Sequence, residues 1–391
     1  MGFEVKEEWK KVKLGEYCTV TSSKRFNISE RSSSGIPFFC SKEIIQKVNG
    51  QEITECDYIK EEAYENIKRQ FGVPKCGDLL ITTRGTYGIP YIYKENDCFY
   101  FADGNLTWIK DFDNKLNVEY LYYWIKSYEG QKKIDAIAKG TAQKAVPILA
   151  IKNLELNLPP LPTQQKIAAI LSAYDDLIEN NRAQIKLLEE AAQKLYKEWF
   201  VKLNFPGHET TEIIDGIPAG WRKGVLSDVG EFKRGKTITK SQAGKGNIPV
   251  IAGGINPAYY TDKSNTLSPV ITISASGNAG YVRLYNEKVW ASDCSFLDIS
   301  SSNCFYYVYI FLKYNQKNLY SLQKGACQQH VSAKDINALE IVIPCNEVLV
   351  KFETVSKPYF DKIKNCQVAI SNLRSARDKL LPKLMSGQVE V

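Results

Sequence analysis

Apolar residues recur on two different periods in this chain, and each period occurs twice. After Thr163 they fall at Ile167, Leu171, Tyr174, Ile178, Asn181, Ile185, Leu188, Ala192, Leu195 and Trp199. The spacings alternate four and three, which is the seam of a coiled coil, and Thr163 is its N-cap candidate. Asn181 is the polar member, a residue type that fixes register in such seams. A matching series follows near the C-terminus: Phe352, Ser356, Tyr359, Ile363, Cys366, Ile370, Leu373, Arg377, Leu380 and Leu384. Ser356 and Arg377 interrupt it, and Pro382 is expected to disturb its last turns.

The segments ahead of these helices have another texture. KCGDLLITTRGTYGIPYIY has apolar runs broken by Gly and Pro, as short strands and tight turns require. EYLYYWIKSYEGQKKIDAIA has helical periodicity. KNLELNLPPLP alternates Leu154, Leu156 and Leu158 with polar residues and stops at prolines, which predicts a strand with one buried face.

These segments are copies of one another. Trp9, Lys11 and Leu14 match Trp221, Lys223 and Leu226 at an offset of 212, and Ile36-Pro37 matches Ile248-Pro249. ITTRGTYG from Ile81 aligns with ISASGNAG from Ile273 at an offset of 192, so the first copy carries about twenty extra residues. From Tyr122 and Tyr307 onward the offset holds at 185, through Gly140 and Gly325 to Leu195 and Leu380. A module of this length is roughly 35–40 Å across, whereas the seam from Ile167 to Trp199 spans roughly 50 Å. The second helix therefore starts near the far end of the first and is expected to run back antiparallel. The fold class is α+β: two pseudo-repeated mixed α/β modules, 1–162 and 204–345, joined by two long antiparallel helices, 163–203 and 346–391, that form a coiled coil.

Composition narrows the chemistry. The chain has 391 residues, 44% hydrophobic and 24% charged, an ordinary globular mixture. Its longest apolar run, CFYYVYIFL, is too short to cross a bilayer, and its N-terminus lacks an apolar signal core, so a cytoplasmic location without membrane contact is expected. Ten cysteines without a CxxC pair, beside only His208 and His330, give no metal-site pattern and are expected to be reduced and mostly buried. Two histidines leave little room for His-based acid–base catalysis. GEFKRGKT, from Gly230, satisfies the Walker A pattern, but the glycines and proline after it cannot open the helix a phosphate loop needs. NPAY, from Asn256, lacks the second proline of the adenine methyltransferase motif.

The net charge of +7 is mild, but its distribution is uneven. Residues 222–245 carry +5 and residues 132–152 carry +4, both inside the repeated modules. Arg can read guanine and Asn or Gln adenine in the major groove, whereas Lys mainly holds phosphate. Base contact is placed on the loops TTRGTYG, SASGNAG, AKGTAQK and QKGACQQH, although glycine turns required by the fold alone would look the same. The DNA-binding candidates in the first module are Lys24, Arg25, Arg84, Thr86, Tyr87, Lys139, Thr141, Gln143 and Lys144. In the second they are Lys233, Arg234, Lys236, Lys240, Ser276, Asn278, Lys324, Gln328, Gln329 and His330. On the first long helix, Asp175, Asp176, Glu179, Arg182, Lys186, Glu189 and Glu190 are assigned to the face opposite the seam. The six acidic and six basic residues between Thr163 and Leu203 cancel, so that face suits a protein partner better than DNA.

GTAQKAVPILAIKNLELNLPPLPTQQKI resembles the end of a target recognition domain of type I restriction-modification specificity subunits. LPPLPTQQKIAAILSAYDDLIENNRAQIKLLEEAAQKLYKEWF is similar to their central conserved region. The likeness extends over nearly the whole chain, but IPCNEVLVKFETVSKPYF before the second helix lacks the PLPTQQ signature. The resemblance implies a non-catalytic subunit that binds double-stranded DNA at an asymmetric split site, one half per recognition domain, with the helices as spacer. It also implies assembly with two methyltransferase subunits and with restriction/translocase subunits; S-adenosylmethionine, ATP and Mg would be used by those partners, and no cofactor by this chain. A two-headed protein-interaction scaffold without nucleic acid is the alternative, and salt-dependent duplex binding separates the two.

Overall fold

The computed structural model describes residues 9–51, 53–140, 144–325 and 329–391. The chain divides into two compact units, residues 1–182 with 369–391, and residues 183–368. Each long helix, Leu161–Tyr196 and Asn346–Met385, therefore contributes one part to each unit.

The two units repeat one sheet plan. In unit 1 a four-stranded sheet has the order Thr19–Thr21, Leu106–Lys110, Leu79–Thr82, Pro90–Ile92. In unit 2 the same order is built by Lys233–Arg234, Cys294–Asp298, Val270–Ser274 and Val282–Tyr285. Register repeats as well: Ile81 faces Pro90 and Thr107, and Ile273 faces Val282 and Ser295. A three-stranded sheet accompanies each, and Lys10–Lys13 with Glu155–Leu158 matches Arg222–Val225 with Glu340–Ile343. Leu154, Leu156 and Leu158 are buried, as the alternation predicts. The extra residues of the first copy form two helices, Ser41–Val48 and Glu61–Gln70. The strand partners Ile36/Ile59 and Ile248/Thr261 show that each helix accounts for half of the offset change.

The stretch with helical periodicity after Asn117 is two helices, Val118–Lys126 and Tyr128–Ile137. Ser127 separates them, and its hydroxyl accepts from Gly130 N–H as an N-cap. The chain folds so tightly here that a Cβ on Gly130 would sit 2.1 Å from the Trp124 carbonyl oxygen. In unit 2 the apolar run becomes the helix Phe305–Tyr314, buried without a break from Phe305 to Leu312. It is packed on all sides, so its lack of amphipathicity is that of a core helix. Among the described residues no helix is long and apolar enough to cross a membrane.

The long helices pair antiparallel within each unit. In unit 1 the Arg377 guanidinium donates to Asp175. In unit 2 Cys366 meets Gln184 at 3.9 Å, and the rings of Trp199 and Phe352 are 5.6 Å apart. Of the seam positions, Ile167, Leu171, Ile178, Ala192, Trp199, Phe352, Ser356, Ile363, Cys366 and Leu384 are buried. Tyr174, Asn181, Ile185, Leu188, Leu195, Tyr359, Ile370, Leu373 and Leu380 are half-buried.

Several expectations need correction. The first helix starts at Leu161, so Thr163 lies inside its first turn and is no cap. Asn181 gives its amide to the Leu177 carbonyl of its own helix at 2.7 Å, a local bond that sets no cross-helix register. Arg377 does not interrupt the pairing; it makes the cross-helix ion pair. The second helix runs through Pro358 and past Pro382 to Met385. Nine free cysteines are described, of which Cys18, Cys294, Cys304 and Cys366 are buried while Cys76 and Cys98 are exposed.

One half-buried carboxylate makes unit 2 sensitive to pH. Glu353 accepts from the Tyr307 and Tyr306 amides, 2.8 and 3.3 Å away, at the start of the buried helix. Burial pushes its carboxyl up to about 7 from an ordinary 4.5, outweighing the two amides. The folded state thus holds this proton more tightly than the unfolded chain. The stabilisation is complete below about 4.5 and is lost as pH rises through 7. Glu353→Gln is expected to remove this loss and to stabilise the protein by about 2 kcal/mol at pH 8, with little effect at pH 5. Urea titrations at the two pH values check it; a variant with the wild-type pH profile would contradict the assignment.

Candidate nucleic-acid interface

Each unit joins four loop segments through a continuous set of contacts, and the segments correspond across the repeat. The first is the end of the edge strand. In unit 1 the buried Tyr100 accepts the Lys24 N–H on its hydroxyl at 2.7 Å. In unit 2 Trp290, the residue in the position of Tyr100, donates its indole N–H to the Lys236 carbonyl at 2.7 Å. The sequence thus fixes the backbone beneath two equivalent lysines with two chemically different aromatic residues.

The second segment is an acidic corner. Asp103 accepts from Arg25 Nε at 3.1 Å. In unit 2 the corner is Asp293, which follows the equivalent short strand by two residues, stands in the sheet register of Asn105, and accepts the Ser276 hydroxyl. The third is the glycine loop after the central strand. Thr83 donates its amide to Asn105 O at 2.8 Å and its hydroxyl to Gly104 O at 3.2 Å, which seats Arg84 beside the acidic corner. Gly85 and Gly277 have φ of +69° and +65°, a left-handed conformation that side chains disfavour, so these glycines are needed by the turn itself. In unit 2 the Asn278 amide reaches Gly253 O at 3.0 Å, adding a further loop.

The fourth segment is a hairpin. Lys139 and Ala145 exchange backbone hydrogen bonds of 2.8 Å, and Lys324 and His330 do the same at 3.0 and 2.9 Å. Each docks on the glycine loop of its own unit, through Val146 N–H to Thr83 O and Val331 N–H to Ala275 O. Thr141, Gln143 and Gln328 lie outside the described residues.

The candidates therefore divide by chemistry. Arg25, Arg84, Thr86, Lys139, Lys236, Asn278 and Gln329 are exposed on the assembled loops, and Ser276 and His330 are half-buried there. Tyr87 and Lys144 are engaged in holding the hairpin. Both bind Asp135, whose carboxyl is held below its usual range by the Tyr87 hydroxyl and then by Lys144. Lys324 is likewise tied to Asp335 at 2.6 Å, which lowers that carboxyl, with help from Ser332. Lys24 lies with its ammonium over the Phe71 ring at 4.9 Å. Lys233 and Arg234 are exposed on a strand paired with Phe296 and Ser295, so the Walker-like segment is a strand and turn. Lys240 is exposed in the next turn, outside these four segments.

The four carboxylates Asp103, Asp135, Asp293 and Asp335 do not stand out in the sequence. A signal is present for one pair: Asp103 and Asp293 follow the equivalent strands Tyr100–Phe101 and Trp290–Ala291. Among the described residues no three His, Cys, Asp or Glu side chains gather as a metal set.

The face of the first long helix also needs correction. Asp175 is turned to Arg377 and Tyr123. Arg182 is only 22% exposed. Glu189 faces Lys313, Tyr309 and Phe360, and burial raises its carboxyl. Asp176, Glu179, Lys186 and Glu190 remain exposed, together with Leu177 and Leu187, at 49% and 64%. The free face is more apolar than its charge pattern implies.

Comparison with known proteins is consistent across sequence and structure. The family model for the type I restriction modification DNA specificity domain matches residues 6–190 and 218–351. The type I restriction enzyme MjaIX specificity subunit of Methanocaldococcus jannaschii is 28% identical over 81% of this chain and 78% of its own. The HindI specificity subunit of Haemophilus influenzae is 22% identical over 98% of this chain and all of its own. The crystal structure of a type I restriction-modification S subunit from M. genitalium has the same fold, with a TM-score of 0.60 at 19% identity over 98% of each chain.

Proposed function

This chain belongs to the type I restriction modification DNA specificity family, as a specificity rather than a catalytic subunit, and from that premise we propose how its residues divide the work. Each unit reads one half of a bipartite double-stranded DNA site through its four joined loops. The observation that carries this is the repeated cluster itself: the same scaffold twice, presenting different side chains. Arg84, Gly85 and Thr86 in one unit stand where Ser276, Gly277 and Asn278 stand in the other, so the two half-sites differ and the site is asymmetric. Lysines on the loops, with Arg84, hold phosphate and orient the duplex, and the other polar side chains between them reach base edges.

The long helices set the spacing between half-sites and dock two methyltransferase subunits, one per helix, the first helix through its face with Leu177, Lys186, Leu187 and Glu190. Restriction/translocase subunits join that assembly. S-adenosylmethionine, ATP and Mg belong to those partners, and this chain binds no cofactor. Its place is the cytoplasm, where the DNA is.

Two measurements test the reading. Mapping adenine methylation across the source genome is expected to show a bipartite motif that disappears when this chain is deleted. With the methyltransferase complex, duplex affinity is expected to fall steeply with salt, and Arg84→Ala with Lys139→Ala to reduce the slope of log affinity against log salt by about 2. Sequence-independent loss with an unchanged slope would place the phosphate contacts elsewhere. No duplex binding at low salt would favour a protein scaffold.

A further inference from the structure

The acidic corner is used differently in the two units. Asp103 is 27% exposed and its partner Arg25 is 76% exposed. An ion pair so open to water contributes little to folding, so stability gives no reason for it. Its geometry is specific, however. The bond runs from Nε of the guanidinium, not from its end. A guanidinium has five N–H donors in a fixed fork, so a carboxylate on Nε leaves both terminal nitrogens free and aimed together. Two such donors match O6 and N7 of guanine. The backbone under this side chain is fixed one residue earlier by the buried Tyr100, and the corner is fixed by the Thr83 bonds to Gly104 and Asn105.

We propose that Arg25, oriented by Asp103, reads one guanine in the half-site of the first recognition domain. Asp103 is a positioning residue and touches no base. The second unit lacks this device: Thr237 stands in the place of Arg25, and Asp293 takes a serine hydroxyl. The assignment rests on the DNA reading above and adds a specific base contact to it.

The experiment uses the full chain assembled with its methyltransferase subunits and a duplex carrying the mapped motif. Each guanine is replaced in turn by deazaguanine, which lacks the N7 acceptor. The wild-type complex is expected to lose about tenfold to hundredfold in affinity at a guanine of one half-site. Arg25→Gln should bind the normal duplex with a similar loss and be indifferent to the replacement at that position alone. Asp103→Asn should shrink the discrimination at the same guanine, without changing the salt slope. Deazaguanine sensitivity that survives Arg25→Gln at every guanine overturns the proposal, as does a motif without guanine in either half. Melting curves verify that the variants are folded, and an unfolded Arg25→Gln leaves Asp103→Asn, with unchanged discrimination as the refuting result. Failure of the wild-type complex to bind duplex at all would instead refute the DNA reading.

Discussion

Arg377→Ala is expected to destabilise unit 1 by about 2–4 kcal/mol. Arg377 is 16% exposed and Asp175 25%, so both charges have lost most of their water. Asp175 also accepts the Tyr123 hydroxyl at 2.8 Å and faces the Lys126 ammonium at 3.8 Å. Removing the guanidinium leaves the carboxylate in this poorly hydrated place with only the Lys126 ammonium opposite, so the cost falls below the about 3–5 kcal/mol of a fully stranded partner. The cluster lines a cleft of about 710 Å³, so some hydration returns and the lower range applies. Asp175→Leu combined with Arg377→Met is expected to recover most of the loss, because packing replaces a charge pair at little net cost. Urea unfolding of both variants checks this. Equal destabilisation by the single and double variants would show that the seam depends on the ion pair itself.

Gln164→Leu is expected to cost a further class of interaction, about 3 kcal/mol in the same unit. The side chain is fully buried and has three backbone partners. Its oxygen accepts from Asn117 N–H at 2.9 Å, and its nitrogen donates to Lys115 O at 2.9 Å and Pro159 O at 2.8 Å. These bonds tie the start of the first long helix to the start of the helix Val118–Lys126. A leucine of similar volume fills the space but leaves three polar groups unpaired, each costing about 1–3 kcal/mol unless water reaches it. Hydrogen exchange should accelerate most at the Asn117 amide, and an unaltered rate there would show that water replaces the glutamine.

Gln164 also gives the PLPTQQ signature a physical meaning. The first glutamine of that motif is structural, while Gln165 is exposed. The second helix lacks the motif, and Glu353 caps its neighbouring helix from one turn further along. The repeat, the alternating strand and both long helices are legible in the sequence because buried apolar positions and left-handed glycines recur at fixed offsets. The break at Ser127 is not legible, because apolar residues continue on both sides of it. The partners of Asp103, Asp175 and Glu189 are not legible either. A carboxylate on a helix or loop reads as solvated until the fold brings a distant cation or hydroxyl to it, and Arg377 comes from 202 residues away.

The division of the helices between the units has a consequence for biosynthesis. The core of unit 1 includes Leu381, Leu384 and Met385 beside Leu14, Ile81 and Trp124. Unit 2, by contrast, draws only on residues 183–368. On the ribosome the first module to emerge is thus the last able to close its core, and it must wait through the translation of the second. A premature stop codon shortly after Val368 would leave the later-made unit whole and cripple the one made first.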